Sequence, residues 1–434
     1  MQVKAPLVEF RHTGRRQTSG GFLVASGVGN VEAFLRGLIR SGSIEIVLPG
    51  GRRLVFGDGS GPPVVVRIND RLTLTRIAAA PYLGLGEAYM DGRLSFEQGS
   101  IRDLLEIGSR NAASAPRGPQ PGPLKRWWKA MRDDRISRAA ARRNVAHHYD
   151  LSLNLYRRFL DPDMQYSCAY FAHPDMSLDE AQVAKKRHIA AKLDLAPDQR
   201  VLDIGCGWGG MALSLAAWTG ARVDGVTLST EQLQVAQLRA QAEGLANRVN
   251  FSLTDYRDVA GTYDRIVSVG MFEHVGRANY QEFFNKIADL LADDGVALLH
   301  SIGSSGPPGP VNPFTTKYIF PGCYVPSLSD VLPAVERAGL RVTDIEILRL
   351  HYGQTLRCWQ ERFAAHRNEI ATLYDERFCR MWECYLAGAE VGFRYGGHMN
   401  FQLQLTKRVD TLPLTRDYMA HAEAALASAE RRVA

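Results

Sequence analysis

The run VLDIGCGWGG at positions 201–210 constrains the fold of this chain more than any other stretch. VLDIG (201–205) reads as a buried strand and Gly210–Thr219 as a helix, so the glycines sit on a strand-to-helix turn. Their spacing is GxGxG, which differs from the GxGxxG of dinucleotide sites. Glycine lets the backbone turn tightly and approach a ligand where a Cβ would clash. A tight turn with no ligand is the alternative, disfavoured because the loop follows VLD, opens a helix and begins a βαβ series.

That alternation is regular. Ser177-Leu178-Asp179-Glu180 is a capping box opening a helix to about 194. RVDGVTL (222–228), RVNFSLTD (248–255), DRIVSVG (264–270) and VALLHSI (296–302) read as strands, with helices from Ser229 to about 243 and over 280–292. Apolar strands alternating with helices predict an α/β, doubly wound, Rossmann-like parallel sheet. The loop after the second strand of such a unit faces a nucleoside ribose. Here it carries Thr227, Leu228 and Gln232, with Thr227 where an acid is usual. Gln232 is placed for the ribose, yet Ser229-x-x-Gln232 is also a capping box. Asp255, ending the third strand, either accepts from an adenine amino group or caps the next turn.

The first 112 residues predict a smaller α+β domain, with strands over 43–48, 52–56 and 64–77 and a helix around 81–110. A Pro/Gly linker over 113–124 separates it from a domain spanning 125–410, and 411–434 forms a helical tail. After the linker, Leu124, Trp127, Trp128 and Met131 share one helical face, and eight Lys/Arg over 125–143 face only Asp133 and Asp134. Such a helix suits an anionic membrane surface, or packs its Trp face on the core and solvates its charges. The net charge of +6 favours anionic partners. No nucleic-acid motif accompanies it, which argues against a nucleic-acid partner. The start MQVKAPLVEF lacks the apolar core of a secretory signal. Six cysteines form no CxxC pair and no metal-like spacing, so the expectation is free thiols in a reducing cytoplasm and no metal.

Eight further segments carry a resemblance: HHYDLS (147–152), YSCAYF (166–171), VLDIGCGWGG (201–210), VTLSTEQ (226–232), VSVGMFEHVG (267–276), LLHSIG (298–303), KYIFPG (317–322) and LHYGQTLRCWQERF (350–363). Together they resemble the cyclopropane-fatty-acyl-phospholipid synthases and their mycolic-acid relatives. The resemblance implies a class I methyltransferase fold using S-adenosylmethionine. It also implies methyl transfer to the cis double bond of unsaturated phospholipid acyl chains, with a bicarbonate taking the proton as the ring closes. The protein would work in the cytoplasm at the membrane surface, with a homodimer as one possible state. By motif, the bicarbonate ligands would be Cys168, Glu273, His300, the backbone at Ile302, and Tyr352. Tyr166, Ser167, Gly205, Gly207, Thr227, Leu228 and Gln232 would contact the cofactor, with Asp255 added by its place at a strand end.

Taken singly these residues have plainer readings. Glu273-His274 fits an exposed loop pair, His300 needs a partner whether structural or catalytic, and Tyr352 fits a core aromatic. Two positions depart from the family pattern: Ala389 stands where many relatives have cysteine, and Cys323 where many have glycine. The competing readings are a lipid C-methyltransferase giving a branched or methylene product, a methyltransferase for a soluble metabolite, and a lipid-binding protein with a relic cofactor site.

Overall fold

The structure, a computed structural model, describes residues 32–33, 35–114 and 153–433. The linker from 115 onward, the Trp127/Trp128 basic helix and HHYDLS lie outside the described residues.

Strands β1 (Ile44–Val47), β2 (Arg53–Phe56), β3 (Val64–Ile68) and β4 (Leu94–Gln98) make a four-stranded sheet in the order β2-β1-β3-β4. β1 and β3 are parallel and the outer pairs antiparallel. The strand expected over 64–77 stops at Ile68. Asp70 accepts from Leu72 N and Thr73 N, both at 2.9 Å, and from Thr73 Oγ1 at 2.6 Å, starting α1 (Thr73–Ala79). A local Asp acceptor overrides the β preference of the Leu/Thr run after it. The single helix expected around 81–110 is likewise split. α2 (Pro81–Met90) ends at Asp91-Gly92, where Gly92 takes φ +71°, and β4 intervenes before α3 (Ile101–Ser114). Residues 113 and 114 close α3 instead of opening the linker.

The larger unit follows the expected alternation: α4 (Leu153–Phe159), α5 (Leu178–Leu193), β5 (Arg200–Ile204), α6 (Gly210–Thr219), β6 (Arg222–Thr227), α7 (Thr230–Ala242), β7 (Val249–Leu253), β8 (Tyr263–Val269), α8 (Tyr280–Leu290) and β9 (Leu291–Ser304). Ser177 and Glu180 form the anticipated capping box on α5, an arrangement that contributes about 1 kcal/mol. Beyond β9 come α9 (Pro313–Tyr318), α10 (Leu328–Arg337), β10 (Arg341–Ile347), α11 (His351–Ala365), α12 (Arg367–Leu373), α13 (Glu376–Tyr395), β11 (His398–Thr406) and α14 (Asp417–Val433).

The seven strands lie in the order β10-β11-β9-β8-β5-β6-β7. Pairing is parallel from β7 to β9, but β11 runs antiparallel to both β9 and β10. The five strands read from the sequence, β5 to β9, are parallel as expected, and the unread β10 and β11 make the sheet mixed at one end. Strand order reverses between β5 and β8, so the loops leaving their carboxyl ends open a crevice at that point. Helices α4, α11 and α13 roof it with a core of Tyr156, Phe159, Trp359 and Trp382. Full burial of a side chain such as Phe159 contributes roughly 1.5–3 kcal/mol.

Candidate active site

The glycine turn builds the first cavity. The N–H groups of Gly205 and Cys206 both donate to Val226 O, at 2.9 and 3.0 Å, folding the loop onto the end of β6. Gly205 takes φ +83° and Gly207 φ +54°, conformations that a side chain disfavours. A Cβ on Gly205 would stand 2.8 Å from the Met271 side chain, whereas one on Gly207 would meet nothing within 4 Å. Gly207 thus faces open space, a cradle that a ligand can approach closely. Tyr166, Ser167, Thr227, Leu228, Gln232 and Asp255 line this same cavity with the two glycines.

Side-chain acceptors around it are largely committed, with one exception. Thr227 Oγ1 donates to Gln232 Oε1 at 2.9 Å and accepts from Ser229 N at 3.2 Å, while Gln232 N donates to Ser229 Oγ at 3.3 Å. Only half of the expected capping box forms: the Gln232 side chain turns to Thr227, and its amide N–H groups are the end left for a ligand. Asp255 caps the short turn Tyr256–Asp258 and holds Arg257 through Nε at 2.8 Å and Nη2 at 2.7 Å. Its cap and its place on the cavity wall coexist. The exception is Asp203, which sequence reading left inside the motif without a role. Its Oδ2 is buried with no partner, and burial pushes the carboxyl up to about 7. An unpartnered buried oxygen beside a glycine cradle fits a polar nucleoside ligand.

A second cavity adjoins the first. Cys168, Glu273, His300, Ile302 and Tyr352 all line it. They arrive from four places: the loop before α5, the turn Phe272–His274 after β8, the end of β9, and the first turn of α11. Glu273 is 7% exposed, not the surface pair its position allowed. Its Oε1 accepts from Ile302 N at 2.6 Å, and its Oε2 has no partner. Burial pushes this carboxyl up to about 7, so its protonated form, which can donate, is accessible near neutrality. Burial likewise drives the His300 imidazole well below its usual range and keeps it neutral. Gln402 Nε2 lies 3.2 Å from His300 Nδ1. With the Gln402 amide in this orientation its N–H donates, Nδ1 accepts and the ring proton sits on Nε2, an atom that is buried without a partner. Two groups able to donate, one on Glu273 and one on His300, are therefore left unmatched, and they fit a small oxyanion.

Thiols are present here, but not thiolates. Burial raises the Cys168 thiol strongly, and pushes those of Cys323 and Cys384 up to about 12. Ala389 lies on the same wall, so no reactive sulfur stands at that position. The rest is aromatic and aliphatic: Phe314, Phe320, Leu356, and Tyr352 packed 4.8 Å from the Phe393 ring. Tyr166, Ser167, Gly270 and His274 line both cavities and mark the junction. Tyr385, another residue not singled out by the sequence, meets Tyr166 hydroxyl to hydroxyl at 3.0 Å.

The smaller domain completes the second cavity. Leu85, Gly86 and Leu105 form part of its wall, and Tyr82, 70% exposed, stands at its mouth beside Pro310 and Val311. Gly86 packs so tightly on Phe314 that a Cβ would fall 2.4 Å from the ring. Nearby, Arg102 Nε and Nη2 bracket the buried Glu390 carboxylate at 2.7 and 3.0 Å. Asn400, on the unread strand β11, also reaches the cavity and has an unpartnered Oδ1. Its signal was available: MNFQLQLT alternates amide and apolar side chains, a pattern that places Asn400, Gln402 and Gln404 on one face.

Comparisons with known proteins agree with this geometry. Residues 136–403 match the family described as mycolic acid cyclopropane synthetase, and residues 33–119 match a domain of unknown function. A probable fatty acid methyltransferase of Pseudomonas putida is 36% identical over 84% of this chain and 93% of its own. The cyclopropane-fatty-acyl-phospholipid synthase of Escherichia coli is 38% identical over 80% of this chain and 89% of its own. A solved mycolic acid cyclopropane synthase complexed with SAH and CTAB superimposes with a TM-score of 0.58 at 34% identity. It covers 61% of this chain and 97% of that one. The chain belongs to the mycolic acid cyclopropane synthetase family and is an S-adenosylmethionine-dependent methyltransferase of the cyclopropane-fatty-acyl-phospholipid synthase type.

Proposed function

We propose that the enzyme transfers a methyl group from S-adenosylmethionine to the cis double bond of an unsaturated phospholipid acyl chain and closes a cyclopropane ring. The observation that carries this reading is the pair of unmatched polar atoms, Glu273 Oε2 and His300 Nε2, on residues lining a largely apolar cavity. An isolated alkene is a weak nucleophile, so the residues must align it with the sulfonium in a site without water. Tyr166, Ser167, Gly205, Gly207, Thr227, Leu228, Gln232 and Asp255 hold the methyl donor. Aromatic rings of Tyr352 and its neighbours face the cation left on the lipid and stabilise it through their quadrupoles. Cys168, Glu273, His300, Ile302 and Tyr352 hold bicarbonate, which supplies the base for the departing proton. No enzyme nucleophile is required, so Ala389 is compatible with turnover.

The surroundings fit a peripheral enzyme on the cytoplasmic face of the membrane. Among the described residues no helix is long and apolar enough to cross a bilayer. The cavity opens at the exposed Tyr82 of the smaller domain, whose role in this reading is to present the lipid chain, with subunit contact in a homodimer as its other use. A second reading is a branched-chain product, favoured by the similarity to a protein named a fatty acid methyltransferase. Mass spectrometry of acyl chains after incubation with S-adenosylmethionine and unsaturated phospholipid vesicles separates the two. Gain of one CH₂ with loss of the alkene is the expected result. Gain of CH₂ with an alkene retained selects the second reading, and unchanged lipid defeats both.

A further inference from the structure

Helix α5 lies under the loop that separates the two cavities, and one of its residues is a fully buried lysine. Gln182, Lys185 and Lys186 share a face by their i, i+3, i+4 spacing. Gln182 Nε2 donates to the carbonyls of Gln165 and Ser167 at 3.1 and 3.0 Å. Lys186 Nζ donates to Asp163 Oδ2 at 2.7 Å. Between them Lys185 Nζ donates to Gln165 Oε1 at 2.6 Å and to Ser167 Oγ at 2.7 Å.

We propose that Lys185 is a positioning residue for methyl transfer: it fixes Ser167 as a hydrogen-bond donor at the junction of the cavities. An ammonium has donors only, so Ser167 Oγ has to accept from it. The hydroxyl hydrogen of Ser167 must then point to another acceptor, and Ser167 lines both cavities. That acceptor is a carboxylate-type oxygen, belonging either to the methionine end of the methyl donor or to a bound bicarbonate. Without the ammonium, Ser167 is free to rotate, while Gln182 still holds the carbonyls of Gln165 and Ser167. Burying an ammonium is costly, and a neutral Gln would have satisfied the loop alone.

The charged and titratable groups facing Lys185 are Asp161, Asp163, Lys186, Cys168, Asp203 and His300. Burial outweighs the carboxylates and brings its pKa down to about 8. The lysine is charged below that value; above it the neutral amine keeps two N–H donors but gains a lone pair that can accept from Ser167, so the hydroxyl is no longer fixed as a donor to the cavities.

The test uses the full chain with Lys185→Arg, Lys185→Met and Ser167→Ala, measuring kcat and KM for S-adenosylmethionine from pH 6.5 to 9.5 and the affinity for S-adenosylhomocysteine. Wild-type kcat/KM should fall above about pH 8, and Lys185→Arg should carry that fall to higher pH, because guanidinium does not titrate in this range. Lys185→Met should lose about 100-fold, and adding Ser167→Ala should cost little more, since the two act as one unit. If affinity for the product falls in parallel, the donor's carboxylate is the acceptor. If it holds while the bicarbonate needed for half-maximal rate rises, the acceptor is the bound anion. An alkaline limb unmoved by Lys185→Arg, with product affinity and bicarbonate requirement also unchanged, overturns the proposal. Should Lys185→Met fail to fold, the Arg variant still decides. The product-binding arm needs no lipid, so it stands even if the proposed acceptor is wrong.

Discussion

Glu273 accepts a 2.6 Å hydrogen bond from the backbone N–H of Ile302, which joins the Gly270 N–H to His300 O bond in tying the turn after β8 to the end of β9. The contact orients the carboxyl so that one oxygen is satisfied and the other is left for a ligand. Its raised pKa also makes it a liability for folding above neutrality.

Glu273→Gln tests both consequences. Turnover should fall at least about 100-fold while S-adenosylhomocysteine affinity stays within about 3-fold, because the donor cavity is not lined by this residue. The folded carboxyl titrates near 7 and the unfolded one near 4.5. Protonation therefore favours the fold fully below about 4.5, and that stability is lost as pH rises through 7. At pH 8 the wild type bears a buried charge that Gln lacks, so the variant should melt higher, with the gap closing toward pH 5. Thermal melts across that range read the sign, and an equal gap at both ends would contradict the burial argument.

The two loop glycines should fail differently. Gly205→Ala places a Cβ 2.8 Å from Met271 at φ +83°, so it should lower both stability and cofactor affinity. At Gly207 the added methyl meets only open space, although φ +54° still costs about 1 kcal/mol. Gly207→Ala should fold nearly as well as wild type and bind S-adenosylhomocysteine more weakly. Calorimetric titration beside a thermal melt separates the two effects.

Gly86→Val probes how closely the smaller domain sits on the larger. Its side chain would collide with the Phe314 ring, forcing α2 away from α9 at a cost of about 1–3 kcal/mol. Turnover on long acyl chains should drop because Leu85 and Gly86 leave the cavity wall. Adding Phe314→Ala should restore part of the lost activity, whereas a double variant no better than Gly86→Val would rule out steric crowding as the cause.

Arg102 and Glu390 clamp the same interface, with Gln360 and Arg394 as further donors to Glu390. Arg102→Ala leaves a buried carboxylate partly served by those two. The loss should lie between the surface and buried limits for ion pairs, about 1–3 kcal/mol. A double-mutant cycle with Glu390→Gln in urea should show strong coupling, and additive losses would mean that the pair carries no stability of its own.

Much of the site was legible in the chain itself. The glycine turn, its flanking strand and helix, and the Ser177 cap depend on neighbours within a few residues. Local periodicity and backbone freedom are enough to specify them. The motifs around 166, 273, 300 and 352 also identified the residues that now line two adjoining cavities. Reading failed first at Asp70 and Gly92, where a single polar cap or turn overrode a longer pattern. It stopped short of β10 and β11: β11 pairs with β9 through contacts about a hundred residues apart and carries β10 on its other edge. Only the folded chain decided that β11 would supply Gln402 to His300. Only it decided that a lysine on α5 would lie beneath Ser167, and that the smaller domain would close the cavity with Leu85, Gly86 and Leu105. Those outcomes depend on burial and long-range packing, which set the protonation of Glu273, His300 and Lys185 and are absent from any local stretch of sequence.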